Sequence, residues 1–254
     1  MNRYLLVMTA CIDPRKGEYP LKRFEPSVRL EDYKSALRYW LAHPDKRLNS
    51  ILFLENSAYP LDALRAIAER ENPLGKAVEF VSLDCNWYPP GGHYGYAELR
   101  MLDLGLQQSQ LRAATTHMIK VSGRFQFPQL TRLLDRVPQD FDAVADARGW
   151  VNLYRKLELP YVTTPIILFR HEFYREHLQT CYVGSETGDT HAEILYYQKM
   201  APLKNSHRIL FRFPCNVNPV GQPAHRTTSY GSPKEAVKNG VRAAARIVFP
   251  NWWV

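Results

Sequence analysis

The sequence predicts an α/β fold with a mostly parallel sheet and a basic helical extension at its C-terminal end. Three observations predict it. Short apolar runs alternate with amphipathic helical runs. Polar and turn-forming residues cluster just after the apolar runs. The positive charge is concentrated in the last fifty or so residues, where eight Lys/Arg face the single acid Glu235. The chain has 254 residues, 45% of them hydrophobic, which suits one large domain or a domain with an appendage.

The expected strands are residues 4–9, 51–54, 78–83, 118–121, 141–145 and 166–169. Between the early ones, Leu30, Tyr33, Leu37 and Leu41 repeat at helical spacing, as do Leu61, Leu64, Ile67 and Ala68. Leu99, Leu102 and Leu106 form a third such run. In the tail, Lys234, Lys238, Arg242 and Arg246 recur every four residues beside Val237, Val241, Ala244, Ala245 and Val248, with FPNWWV following. A cationic stripe, an apolar face and paired tryptophans describe a helix lying on an anionic membrane surface, with nucleic acid or the domain itself as alternative partners. The expected organisation is a catalytic domain over 1–203 and a basic extension over 204–254.

Several classes are disfavoured. Cys11, Cys85, Cys181 and Cys215 are scattered without a CxxC pair, as expected for reduced thiols in the cytoplasm. The opening MNRYLLVMTA is shorter than a signal peptide's usual layout, and no run reaches the roughly 18 apolar residues of a spanning helix. No internal repeat, helix-turn-helix, zinc-finger or RNP signature is present.

Ligands of parallel sheets bind outside the carboxyl ends of the strands, so the residues just after each strand are the candidates. Glu55-Asn56-Ser57 ends the second strand. Asn56 and Ser57 suit a turn before Pro60, whereas Glu55, at the strand's end, is expected to face a ligand. PPGGHYGYAELRML joins a Gly-rich loop (Gly91, Gly92, Gly95) to a helix start, with Glu98 in the first turn. IKVSGRF sets Lys120 and Ser122 on one strand face and projects Arg124 after Gly123. In DFDAVADAR an extended chain places Asp142, Asp146 and Arg148 on one face. Thr190-x-x-Glu193 fits a capping box, and Glu193 is also placed to serve as a general base.

In their order along the chain, MTACIDP, VRLEDYKSALRYWL, ILFLENSAYPLDAL, HYGYAELRMLDLGLQQS, HMIKVSGRF, DAVADAR and AEILYYQKM resemble bacterial glycosyltransferases that build O-antigen, lipopolysaccharide core and capsule. The resemblance spans most of residues 4–201. It implies a GT-A-like domain, a Rossmann-type sheet that binds a nucleotide sugar. Thr9, Ala10, Arg29, Glu55 and Asn56 would then face the nucleoside, with Gly95 and Glu98 near the donor. Lys120, Gly123 and Arg124 would approach its phosphates or sugar, Asp146 the metal or donor-sugar position, and Glu193 that of the base. A metal-dependent enzyme of this kind carries Asp-x-Asp, two hard oxygen ligands for Mg²⁺ or Mn²⁺. This chain has Asp146-Ala147-Arg148, so Arg148 stands as an alternative to the metal for offsetting diphosphate charge. The implied activity is hexose transfer from a nucleotide diphosphate donor, UDP-linked by expectation, to a glycan or lipid-linked acceptor at the inner face of the plasma membrane. The rival readings are a sugar nucleotidyltransferase, although MTACIDPRKG lacks a Gly-rich run after the first strand, and a basic nucleic-acid-binding protein.

Overall fold

The computed structural model describes residues 2–14, 22–89, 92–149, 160–184, 191–224, 229–230 and 232–248. Gly91, Asp189, Thr190 and the 249–254 segment with Trp252 and Trp253 lie outside the described residues, as do the side chains of Lys234, Lys238 and Arg246.

In chain order the elements are β1 (Tyr4–Ala10), α1 (Pro26–Ala42), β2 (Ser50–Glu55), α2 (Asp62–Arg70), β3 (Ala77–Ser82), α3 (Gly95–Gln108) and β4 (His117–Ser122). They continue with α4 (Leu130–Arg136), β5 (Ala143–Arg148), β6 (Tyr161–Arg170), α5 (His171–Phe173), α6 (Ala192–Met200), β7 (Ile209–Leu210) and α7 (Pro233–Val248). α5 runs directly into a π-helical turn, Tyr174–Leu178.

The strands form one sheet in the order β3-β2-β1-β4-β6-β5-β7. β6 runs antiparallel to β4 and β5, and the other neighbours are parallel. β1 is buried along its whole length because both sheet faces are covered, which is why it reads as a continuous apolar run. Leu6 and Met8 point into a core shared with α1, α2 and α4, around Trp40, Phe53 and Leu133. Leu5 and Val7 point into a second core with α3 and α6, around Leu102, Phe169 and Tyr196. Each large apolar side chain fully buried there contributes about 1.5–3 kcal/mol.

The six expected strands and the helical runs are all present. The short α4 lay outside the periodic runs, and β7, only two residues long, gave no pattern. The strand expected over 166–169 begins five residues earlier, at Tyr161. The boundary expected at residue 203 is not a break in the core. β7 pairs with β5, Phe211 joins one core, and Phe213 and Val217 join the other.

The chain leaves β1 toward β2 and β3, then returns to β4 on the other side of β1. At such a switch point the loops diverge from adjacent strand ends and leave a crevice.

Candidate active site

A cavity of about 850 Å³ opens at that crevice, within the size range of small-molecule sites. Thr9 and Ala10 come to it from the end of β1, Asn56 follows β2, and Ser122 and Arg124 follow β4. Arg148 from β5, Thr163 and Thr164 from β6, and Glu193 from α6 line it too. Strand ends that lie far apart in sequence therefore converge, as the polar clusters after each strand predicted.

Glu55 does not line this cavity. It is fully buried, and its Oε1 accepts from the Ile12 and Ser57 amides at 3.0 Å each and from the Ser57 hydroxyl, while Oε2 accepts from the Tyr59 amide at 2.9 Å. The expectation that it faces the ligand is corrected: a carboxylate at the strand's end gathers the amides of two loops. Asn56 is the residue of that trio on the cavity wall. Its backbone bonds to Ala10 and Cys85 hold it there, and its buried side-chain oxygen lacks a hydrogen-bond partner.

Lys120 is also corrected as a phosphate contact. Only 2% exposed, it forms an ion pair with Glu98 (2.6 Å) and donates to the Thr164 carbonyl at 2.9 Å. Glu98 accepts from Thr9 at 2.8 Å, and Thr164 Oγ1 donates to Glu193 at 3.0 Å. Burial disfavours the Glu98 charge, yet Lys120, Thr9 and Arg124 outweigh it and hold the carboxyl below its ordinary value. One chain of contacts thus runs from Thr9 on β1 through Glu98 and Lys120 to Thr164 and Glu193.

Thr164 reaches this position because β6 breaks register there. Val144 opposes Leu168 whereas Asp146 opposes Thr163, so β6 residues 164–167 stand opposite Ala145 alone. Pro165, which has no N–H to give a ladder, falls in that irregularity. The helix start differs from the expected capping box. His191, not Thr190, is the N-cap of α6, and Glu193 turns its carboxylate to Thr164.

Among the described residues four arginines line the cavity: Arg29, Arg124, Arg148 and Arg242. Arg29 donates to the Cys11 carbonyl at 2.7 Å and the Arg23 carbonyl at 3.0 Å, both neutral acceptors. Arg124 lies 5.9 Å over the Tyr33 ring, and its buried Nη1 has no hydrogen-bond partner. Burial, with Arg29 nearby, lowers its pKa, which still leaves the guanidinium charged. The lining glutamates among the described residues are Glu98, already paired with Lys120, and Glu193. The walls therefore favour an anionic ligand. Cys11 also lines the cavity, but burial pushes its thiol up to about 12, so it is no nucleophile at neutral pH.

Asp146 is buried and ion-paired with Arg148 at 2.9 Å. Among the described residues no group of three His, Cys, Asp or Glu is arranged to hold a metal ion. A carboxylate clamped to a guanidinium, with no such group around it among the described residues, does not fit Mg²⁺ or Mn²⁺, which take several hard oxygens.

The two site glycines serve close approach. A Cβ on Gly95 would lie 2.8 Å from that of Ala192, so glycine lets the starts of α3 and α6 meet at the cavity. A Cβ on Gly123 would lie 2.9 Å from the Thr9 carbonyl, which places Gly123 behind the wall and not on it. His93 and His191 stack at 3.8 Å across the same junction. Tyr33, Thr164 and Arg242 are among the wall residues that the sequence does not single out as site residues. Tyr33 belonged to a helical apolar stripe, Thr164 carried no motif, and Arg242 was read as part of a surface stripe. In fact Asn239 and Arg242 of α7 line the cavity.

No family model and no curated protein sequence matches the chain. In structure it is similar to 4-diphosphocytidyl-2C-methyl-D-erythritol synthase from Anaerococcus prevotii, with TM-score 0.51 and 10% identity over 96% of this chain and 99% of that one. Weaker likeness extends to the mannosyltransferase PcManGT from Pyrobaculum calidifontis in complex with GDP-Man and Mn²⁺ (TM-score 0.49, 11% identity, 82% and 54% covered). It extends also to the galactosyltransferase LgtC in complex with donor and acceptor sugar analogues (TM-score 0.47, 14% identity, 76% and 69% covered). The structural neighbours are thus nucleotidyl- and glycosyltransferases. The fold, a mostly parallel seven-stranded Rossmann-like sheet flanked by helices, matches the GT-A-like fold class expected from the sequence.

Proposed function

We propose that this protein is a glycosyltransferase that moves a hexose from a nucleotide diphosphate sugar, UDP-linked by preference, to a hydroxyl of a bacterial surface glycan or its lipid-linked precursor. The observation that carries the reading is the pairing, in one cavity, of an arginine-rich lining with the Glu193 carboxylate. Thr9, Ala10, Arg29 and Asn56 form the nucleoside end. Glu98 and Gly95 support the donor from α3, and Arg124 and Arg148 take the diphosphate. Glu193, oriented by Thr164, removes the acceptor proton as the glycosidic oxygen leaves. The arginines offset the charge that develops on the leaving group.

The test is a thermal-shift screen with UDP, GDP, CDP and TDP and their sugars, followed by assay of hydrolysis and transfer. A ligand at about 100 times its Kd should raise the melting temperature by about 5 °C or more. A protein that binds none of these and turns over none is not a glycosyltransferase.

A nucleotidyltransferase shares the fold but needs a triphosphate grip after β1, and the sequence there has no Gly-rich run. Pyrophosphate release from a nucleoside triphosphate and a sugar phosphate would favour it.

Peripheral attachment to the inner face of the plasma membrane belongs to the same proposal. Among the described residues no helix is long and apolar enough to cross a membrane. α7 turns Val237, Val241 and Val248 outward, 69%, 65% and 65% exposed, on a segment rich in Lys and Arg. An apolar face on a cationic helix suits an anionic bilayer surface.

A further inference from the structure

The donor site departs from the metal-binding pattern of its fold at one residue, and the geometry gives that departure a purpose. We propose that the diphosphate is held and its departure assisted by guanidinium groups, with no divalent cation, and that Asp146 is the clamp that aims Arg148. The inference rests on the glycosyltransferase reading above.

Asp146 and Arg148 are two apart on β5, so both project from the same face of the strand. Asp146 is buried, and its Oδ2 takes the Arg148 Nε at 2.9 Å. That contact uses one edge of the guanidinium. Arg148 lines the cavity, and its side chain is 28% exposed. A fork fixed in this way offers two parallel donors to a phosphate, the geometry that distinguishes Arg from Lys. A metal ion bound by Asp146 would have to displace this guanidinium, and among the described residues no group of three His, Cys, Asp or Glu would complete its shell. Arg124 supplies a second cation, with a buried Nη1 that no protein group satisfies. Arg242 on α7 supplies a third on the same walls.

In the transfer, the bond between the anomeric carbon and the β-phosphate oxygen breaks, and its electron pair stays on that oxygen. The acceptor oxygen bonds to the anomeric carbon, and its proton passes to Glu193. The diphosphate gains one negative charge, which Arg148 and Arg124 face. No species outside donor, acceptor and protein is required for the balance.

The experiment compares binding of nucleoside diphosphates (UDP, GDP, CDP, TDP) and their parent nucleosides in EDTA and in MnCl₂, by calorimetry on the full chain. For the diphosphate that binds, affinity should be the same in EDTA and in Mn²⁺. Arg148→Ala should weaken it at least about tenfold and leave the nucleoside unchanged. Arg148→Lys should fall between, having charge without the fork. Arg148→Asp, which restores two carboxylates, should bind the diphosphate only with Mn²⁺ present. Wild-type binding that needs Mn²⁺ or Mg²⁺ overturns the proposal. So does an Arg148→Ala protein that loses nucleoside and diphosphate equally. Metal-free diphosphate binding without any sugar transfer would instead sink the transferase reading and leave this site standing. Absence of all nucleotide binding overturns both.

Discussion

The two edges of the central sheet carry similar side chains to different ends. At the amino edge of β4 and β5 and the far end of β6, charged and titratable groups face one another and not the large cavity, although Asp142 Oδ1 and Arg170 Nε lack a hydrogen bond of good geometry. Asp142 pairs with Arg170 at 2.8 Å and accepts from the Arg208 amide, His117 contacts the Phe141 carbonyl, and His171 meets the Thr115 hydroxyl at 2.9 Å. At the carboxyl edge the same residue types surround a cavity, and Arg124 and Asn56 keep buried polar atoms without protein partners there. Burial of a polar group therefore does not mark a site by itself. What separates the edges is whether the groups close on each other or onto shared space. Substitutions should divide accordingly, with the amino edge setting stability and the carboxyl edge setting turnover.

The sharpest division is expected at Glu193. Glu193→Gln keeps an oxygen for the Thr164 hydroxyl but cannot take a proton. Turnover should fall by roughly 100- to 10,000-fold. The melting temperature should stay within about 2 °C, because a near-isosteric change at a half-exposed position costs little. Steady-state kinetics with a thermal melt on the same preparation checks both halves. Full turnover would remove Glu193 from the chemistry.

Glu55 blurs the division, since it lies at the carboxyl edge yet behaves like the amino edge. Glu55→Ala strips three backbone amides and a hydroxyl of their acceptor in a dry setting. A loss of roughly 3–5 kcal/mol in urea unfolding is expected. Nucleotide affinity of the molecules that remain folded should change far less. If stability were intact and affinity gone, Glu55 would belong to the ligand after all.

These cases show where sequence reading succeeds and stops. The run after β2 lies at the carboxyl edge of the sheet, as expected, because position along a parallel strand is dictated by periodicity. Which of Glu55, Asn56 and Ser57 turns inward is decided by the amides of residues 12, 57 and 59, a contact set that no local pattern encodes. Lys120 reads as a cation on a strand face, yet its partner Glu98 lies on α3 and its second acceptor on β6. Thr164 owes its role to a register slip around Pro165, and Arg242 to the way residues 209–224 carry the chain back over the sheet. The fold, set by apolar repeats, was largely legible. Side-chain roles that depend on long-range pairing were not.

At the amino edge His171 offers a pH test. Burial, helped by Arg112 and His117, lowers its pKa to about 4, below the roughly 6.5 of an unfolded histidine. Between those values the unfolded chain binds more protons. Stability should therefore be full above pH 6.5 and lost as pH falls toward 4, by up to about 3 kcal/mol from this residue. His43 and His117 are shifted the same way, so the slope is shared. Comparing wild type with His171→Gln by urea unfolding at pH 6.5, 5.5 and 4.5 isolates the contribution. A parallel pair of curves would mean that His171 titrates normally in the folded state.

The smallest effect on stability is expected where neither edge is involved. Val241 is 65% exposed on α7, on the side away from the wall that Asn239 and Arg242 form. Val241→Asp should change unfolding free energy by no more than about 0.5 kcal/mol, as for surface substitutions generally. The same change places a negative charge in the middle of the face assigned to the bilayer. Co-sedimentation with phosphatidylserine-containing vesicles should drop sharply, while wild type binds and releases as salt is raised. Turnover on a soluble acceptor should be untouched, because α7 reaches the cavity through its opposite side. A variant that binds vesicles as wild type does would assign the valine face to a protein partner. One that loses turnover on soluble acceptor would tie the helix's outer face to the chemistry, and the separation between surface and site would then fail at α7.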